Sequence, residues 1–129
     1  MFIAHVALWT PDLDRAVAFW TRHFGAEAGP PYRSTRRVGF CSRFLTLGDG
    51  ARLELMTGPW IAPGDDGPGA DRTGWAHIAV SLGSEAAVRT LADRLAAEGL
   101  LVSPPRRTGD GYYEAVVRDP DGTLVEITV

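Results

Sequence analysis

Two histidines and two glutamates in this 129-residue chain stand in matched pairs. Glu54 follows His5 by 49 residues, and Glu126 follows His77 by the same 49, so the second pair repeats the first at an offset of 72. The surroundings repeat as well. Ile3-Ala4-His5-Val6-Ala7-Leu8 matches Trp75-Ala76-His77-Ile78-Ala79-Val80, and Asp49-Gly50 and Asp121-Gly122 sit at equal distances upstream of their glutamates. Imidazole nitrogen and carboxylate oxygen together suit borderline divalent ions such as Zn, Ni, Co, Fe or Mn. A lone histidine in an apolar strand is more often a hydrogen-bonded core residue. An unpaired carboxylate among Leu, Val and Ile is costly, however. Two such glutamates, each matched to a histidine at equal separation, favour one shared metal site.

The elements that must position these groups also come in pairs. Residues 2–9 and 75–82 are short, β-branched and apolar, which predicts strands ending at Thr10-Pro11 and Gly83-Ser84. A helix follows each. In the first, Leu13, Ala16, Val17, Trp20 and Phe24 fall at helical spacing, with Asp12 or Thr10 as cap and Gly25 as stop. In the second, Val88, Leu91, Leu95 and Ala96 form the stripe between Ser84 and Gly99. Pro-containing segments at 29–33 and 103–107 then lead into strands at 38–47 and 51–57, and at 112–118 and 123–129. Each half therefore reads strand, helix, then about three strands. The fold class is α+β: a single domain of two tandem βαβββ modules, 1–57 and 74–129. The Pro-, Gly- and Asp-rich stretch 58–73, including GDDGPGAD, is read as a solvated linker. With only two copies, closure by paired modules is favoured over a stacked solenoid.

Side chains alternate faces along a strand. His5 thus shares a face with Ala7 and Trp9, and His77 with Ala79 and Ser81. Glu54 goes with Arg52 and Met56, and Glu126 with Leu124 and Thr128. Small neighbours beside each histidine leave room for a metal and its ligand. Pairing of the two modules about a pseudo-twofold axis would bring all four groups to one centre. A tight LGDG turn between 38–47 and 51–57 would add Phe40 and Phe44 to the face of Glu54, and the offset maps Phe40 onto Tyr112. A lining of Trp9, Phe40, Phe44, Met56 and Tyr112 suits a flat or aromatic ligand; the alternative is that these residues complete a hydrophobic core. Trp60 and Trp75 flank the linker as lid or core.

Other candidates are weaker. Arg36-Arg37 and Arg106-Arg107 precede equivalent strands, and Arg43 lies within one; each could grip a substrate carboxylate bidentately, with a solvated surface as the commoner outcome. His23, at the end of the first helix, is explained by the helix dipole. Cys41 has no catalytic partner pattern and reads as a small core residue.

Composition narrows the function classes. A net charge of −3 argues against a nucleic-acid binder. No apolar run approaches the ~18 residues of a membrane span. A single cysteine excludes an intrachain disulfide and fits a reducing compartment. The N-terminus reads directly as a strand, without a signal-peptide pattern. Cytoplasmic location is the expectation. All 13 basic residues are arginine, which we read as coding bias.

Six segments together resemble the vicinal oxygen chelate superfamily, which includes glyoxalase I, fosfomycin-resistance proteins, bleomycin-binding proteins and extradiol dioxygenases. They are IAHVAL, DLDRAVAFW, FLTLGDGARLELM, GWAHIAV, TGDGYYEAVVRDPDG and the terminal VEITV, and the resemblance spans essentially the whole chain. It implies paired βαβββ modules that form an open cleft with a divalent metal at its centre. The order His, Glu, His, Glu is similar to the glyoxalase I pattern, which would make His5, Glu54, His77 and Glu126 the ligands. Extradiol dioxygenases and fosfomycin enzymes keep three ligands, so a fourth favours glyoxalase I. The implied ion is a Lewis acid for enediolate chemistry next to a carbonyl. Glu54 or Glu126 would leave the metal and act as general base, in the isomerisation of a hemithioacetal.

One position departs from that pattern. Glyoxalase I usually carries an arginine soon after its first histidine to hold glutathione carboxylates, and Trp9 stands there. With its aromatic neighbours it supports a second reading, a non-catalytic protein that sequesters an aromatic natural product or antibiotic. Short members of the superfamily often assemble the cleft across a homodimer. In that case His5 and Glu54 of one chain would face His77 and Glu126 of the other.

Overall fold

The computed structural model describes residues 3–48, 50–61, 76–109 and 111–129. Most of the expected linker, with Trp75, lies outside the described residues. The chain divides into two compact units, Met1–Asp65 and Asp66–Val129, and each is described by itself.

In the first unit β1 (Val6–Trp9) leads into α1 (Leu13–Phe24). Asp12 caps this helix by accepting from the Arg15 N–H, and Gly25 ends it in the left-handed conformation at φ 63°. Two short strands, β2 (Glu27–Ala28) and β3 (Tyr32–Arg33), follow, and then β4 (Cys41–Leu47) and β5 (Ala51–Thr57). β2 and β3 both pair with β4, so they form one edge strand broken at Gly29-Pro30-Pro31. Proline has no N–H to give the ladder. The sheet order is β1-β5-β4-β2, with β1 parallel to β5 and the rest antiparallel.

α1 covers one face of this sheet. Ala16, Val17, Phe19 and Trp20 are buried, as are Leu45, Leu53 and Leu55. Burial of each large apolar side chain contributes roughly 1.5–3 kcal/mol before entropy is counted. Cys41 is buried too, as the sequence predicts. His23 is also buried, its ring 5.1 Å from Phe19. It stands in the last turn of α1, where the dipole argument places it, and packs into the core while Arg22 points outward.

The second unit repeats the plan. β6 (Ile78–Ser81) and α2 (Glu85–Ala97), capped by Ser84, precede β7 (Leu101–Arg107), β8 (Tyr113–Arg118) and β9 (Leu124–Thr128). The order is β6-β9-β8-β7. Val88, Leu91, Ala92 and Leu95 of α2 are buried, with Ala115, Val117, Val125 and Ile127 buried in the sheet. Segment 103–107 is part of a strand, although Pro104-Pro105 argues for a connector. β7 is the sheet's edge, and its pairing with β8 shifts register on both sides of Ser103. An edge strand with bulges tolerates the missing N–H groups. The outer strands are shorter than predicted, so His5 and His77 each stand one residue before the ladder. Among the described residues no helix is long and apolar enough to cross a membrane.

Candidate functional site

Register decides which side chains meet. In the first sheet Ala7 pairs with Glu54 across the parallel ladder, and Phe44 pairs with Glu54 across the antiparallel one. The β4–β5 register runs unbroken from Cys41↔Thr57 to Leu47↔Ala51, so no bulge inverts the faces. Leu45, Leu53 and Leu55 face α1; Glu54, Met56 and Phe44 therefore point to the opposite, open face, with Ala7 and Trp9 of β1.

His5 Nε2 lies 3.6 Å from Glu54 Oε2 on that face. The His5 ring meets Phe44 edge-on at 5.2 Å, and the Arg52 guanidinium lies over the other side of the neighbourhood, 4.2 Å from the Phe44 centroid. Beyond Met56, Trp9 and Phe40 pack edge to face at 6.1 Å. The first unit thus brings His5, Glu54, Trp9, Phe40, Phe44 and Met56 onto one surface.

The second unit carries the same pair in the same register. Ala79 and Val116 flank Glu126, and His77 Nε2 lies 3.6 Å from Glu126 Oε2. Each imidazole is about two-fifths exposed and each carboxylate less than one-fifth, so the carboxylate is sheltered while the nitrogen remains reachable. The lining differs, however. Val116 stands where the first unit has Phe44, Thr128 where it has Met56, and Glu114 where it has Ser42.

Arg43 and Tyr112 stand differently from these residues in their own sheets. Arg43 pairs with Leu55, not Glu54, so it projects from the helix-covered face, where its Nε donates to the Gly29 carbonyl at 2.9 Å. Strand alternation thus puts it on the face opposite Phe44 and Glu54. Tyr112 precedes β8 in the turn from β7, its carbonyl accepting from the Thr108 N–H. It belongs to the second unit. Arg106 and Arg107 are committed to Glu114 and Glu85 respectively.

Glu114 is the residue that sequence reasoning missed. It is buried, pairs with Arg106 at 3.2 Å, and shares the face of Glu126. Burial raises the Glu126 carboxyl above the usual carboxylate range, and the neighbouring Glu114 raises it further, against the opposing pull of His77. The signal was available: a glutamate two places before Val116 in the strand YEAVV must share the face of Glu126.

The donor set suits a borderline divalent ion. Two donors each about 2.1 Å from one ion stand about 3.0–3.6 Å apart, according to the angle they subtend, and both pairs fall at the wide end of that range. Among the described residues no three His, Cys, Asp or Glu side chains gather as a metal cluster. Each unit presents one His–Glu pair.

Residues 2–127 match the sequence profile of the Glyoxalase/Bleomycin resistance protein/Dioxygenase superfamily. The chain belongs to that superfamily. Within it, an uncharacterized protein of Pseudomonas aeruginosa is 32% identical over 128 residues, covering 98% of this chain and 86% of its own. A probable lactoylglutathione lyase of Vibrio cholerae is 28% identical over 130 residues, covering 97% of this chain and 88% of its own. Among solved structures, a glyoxylase/bleomycin resistance protein/dioxygenase domain from Frankia sp. EAN1pec superposes with a TM-score of 0.82 at 21% identity, over 100% of this chain and 97% of that one. The α+β architecture of βαβββ modules expected from the repeat is thus the architecture of this glyoxalase superfamily member.

Proposed function

We propose that this chain is a glyoxalase I-like, metal-dependent lyase or isomerase acting on a hemithioacetal or a similar substrate with vicinal oxygens. His5, Glu54, His77 and Glu126 supply the protein ligands of a divalent ion (Ni, Co, Zn, Mn or Fe). One observation carries the reading: two His–Glu pairs with the same 3.6 Å separation, at the same register of duplicated sheets. Duplication of a fold needs only the core to be kept, and a solvent-reachable imidazole beside a sheltered carboxylate contributes nothing to that core. The similarity to a probable lactoylglutathione lyase supports the same class.

A bound divalent ion supplies Lewis acidity, lowering the cost of negative charge on oxygens beside the reacting carbon. The chain's own groups do the rest. Glu54 or Glu126 would act as general base, taking the proton from the carbon next to the carbonyl and returning it to the neighbouring carbon. Phe44, Met56 and Trp9 share the face of Glu54 and give it an apolar surround. Metal-loaded protein given methylglyoxal and a thiol should form the thioester, read by ultraviolet absorbance, and chelation should stop it. No turnover with any of the five metals and several thiols overturns the reaction.

A second reading, sequestration of an aromatic natural product without turnover, is favoured by the exposed rings of Trp9 and Trp60. Tight binding that survives Glu126→Ala would favour it. The metalloenzyme reading includes a homodimer in which His5 and Glu54 of one chain would face His77 and Glu126 of the other. Light scattering tests that, and a strict monomer with full metal content would exclude the shared site.

A further inference from the structure

Arg37 is the cation in the first unit whose surroundings need an explanation beyond the fold. Its guanidinium carbon lies 4.1 Å from the Trp60 ring centroid, 5.6 Å from that of Trp9 and 5.9 Å from that of Phe40. Tyr32 extends the cluster, 6.3 Å from Phe40. Trp9, Trp60 and Tyr32 are all exposed, so these rings do not bury Arg37 in a core. Nor is Arg37 in an ion pair with any carboxylate among the described residues, whereas Arg89, Arg106 and Arg107 all are.

The cluster is built into the backbone. Ser34 Oγ accepts from the N–H groups of Arg36 and Arg37, and Phe40 N–H donates to the Arg37 carbonyl, which closes the loop that presents the arginine. Gly39 has φ 83°, and a Cβ there would come within 2.7 Å of the Pro59 ring; one on Gly58 would run into the Trp60 indole. Two glycines therefore let residues 38–40 and 58–60 approach closely enough to bring Trp60 over the guanidinium. The result continues the open face of His5 and Glu54, because Trp9 shares that face.

A guanidinium stacked against rings is held by its planar surface, and its in-plane N–H fork remains free. That fork matches a carboxylate bidentately, while exposed indole and phenyl edges match a flat apolar body. We infer that Arg37, with Trp9, Phe40 and Trp60, binds the carboxylate end of a planar aromatic acid. The inference rests on the proposed reading only in taking the open face of the first unit as ligand-binding.

The test titrates 2-naphthoate and its neutral analogue 2-naphthamide into the full chain, as purified and after chelation, by tryptophan fluorescence and calorimetry. Naphthoate should bind and quench, naphthamide should bind more weakly, and Arg37→Ala should weaken naphthoate about tenfold or more, as expected for a lost charge-assisted pair. Arg37→Lys should fall between, and Arg36→Ala should match the parent. Equal binding of acid and amide, no effect of Arg37→Ala, or naphthoate binding that disappears on chelation would overturn the inference. Failure of the hemithioacetal assay with Arg37-dependent binding intact would instead overturn the proposed reaction.

Discussion

Arg106 and Glu114 are ion-paired at 3.2 Å across β7 and β8, and the buried end of that pair lies on the face of Glu126. A second carboxyl beside Glu126 is tolerable because a guanidinium compensates it. Arg106 itself is half exposed, so its contribution is smaller than that of a fully buried pair.

Removal of the arginine should leave Glu114 sheltered, charged and uncompensated. Arg106→Ala is expected to destabilise the protein by about 1–3 kcal/mol, the cost of a charged group losing its hydrogen-bonding partner. Adding Glu114→Gln should recover most of that loss, since the repulsion then disappears with the charge. Urea midpoints of the single and double variants check this as a cycle; additive losses would show that the two residues act independently.

The proposed ligands should be interchangeable between units. His5→Ala and His77→Ala each remove one nitrogen from pairs of the same separation. Each is expected to lower metal affinity by more than the roughly 10–100-fold typical of outer-shell losses. The two effects should agree within a few-fold by calorimetry with Ni or Co. A full-affinity His77→Ala variant would confine any ion to the first unit.

Phe44 offers a separate control. Val116 holds the same register in the second unit, yet the His–Glu separation there is the same 3.6 Å. The phenyl ring is therefore dispensable for the pair's geometry. Phe44→Val should leave metal affinity within about threefold, while its loss beneath Arg52 removes a cation–π contact of about 0.5–1 kcal/mol. A large drop in metal affinity would mean that the edge-on contact with His5 orients the imidazole.

These comparisons show what the linear sequence carried. The duplicated His and Glu, the helix caps Asp12 and Ser84, and the faces around Glu54 followed from spacing and alternation, because local periodicity and capping are properties of neighbouring residues. Arg43 is a different case: strand parity puts it on the face opposite Glu54, which its charge and its place in the strand do not reveal. Arg37 and Trp60 are 23 positions apart in the sequence, and nothing local links them. Their stacking depends on the close approach permitted by Gly39 and Gly58. Glu114 was legible by parity but was passed over, since its significance depends on Arg106 arriving from a strand whose prolines disguise it.

Asp119 gives the pH dependence a definite sign. It is buried, and its Oδ1 accepts from the N–H groups of Asp121 and Thr123 in the turn before β9. Burial raises its carboxyl above the ordinary value, against those two hydrogen bonds. The folded state therefore holds the proton more tightly than the unfolded chain, whose aspartates titrate near about 3.9. The stabilisation from this group is fully present below that value and is lost as pH rises through the elevated folded pKa. Asp119→Asn keeps an acceptor oxygen for both N–H groups and carries no charge. At pH 7 it should match or exceed the parent in stability, and the parent should gain on it as pH falls toward 4. Asp119→Ala lacks the acceptor and should lose about 1–2 kcal/mol at either pH. Urea midpoints at pH 4, 5, 6 and 7 for the three proteins provide the check, and a parent that loses ground to Asp119→Asn on acidification would reverse the assignment.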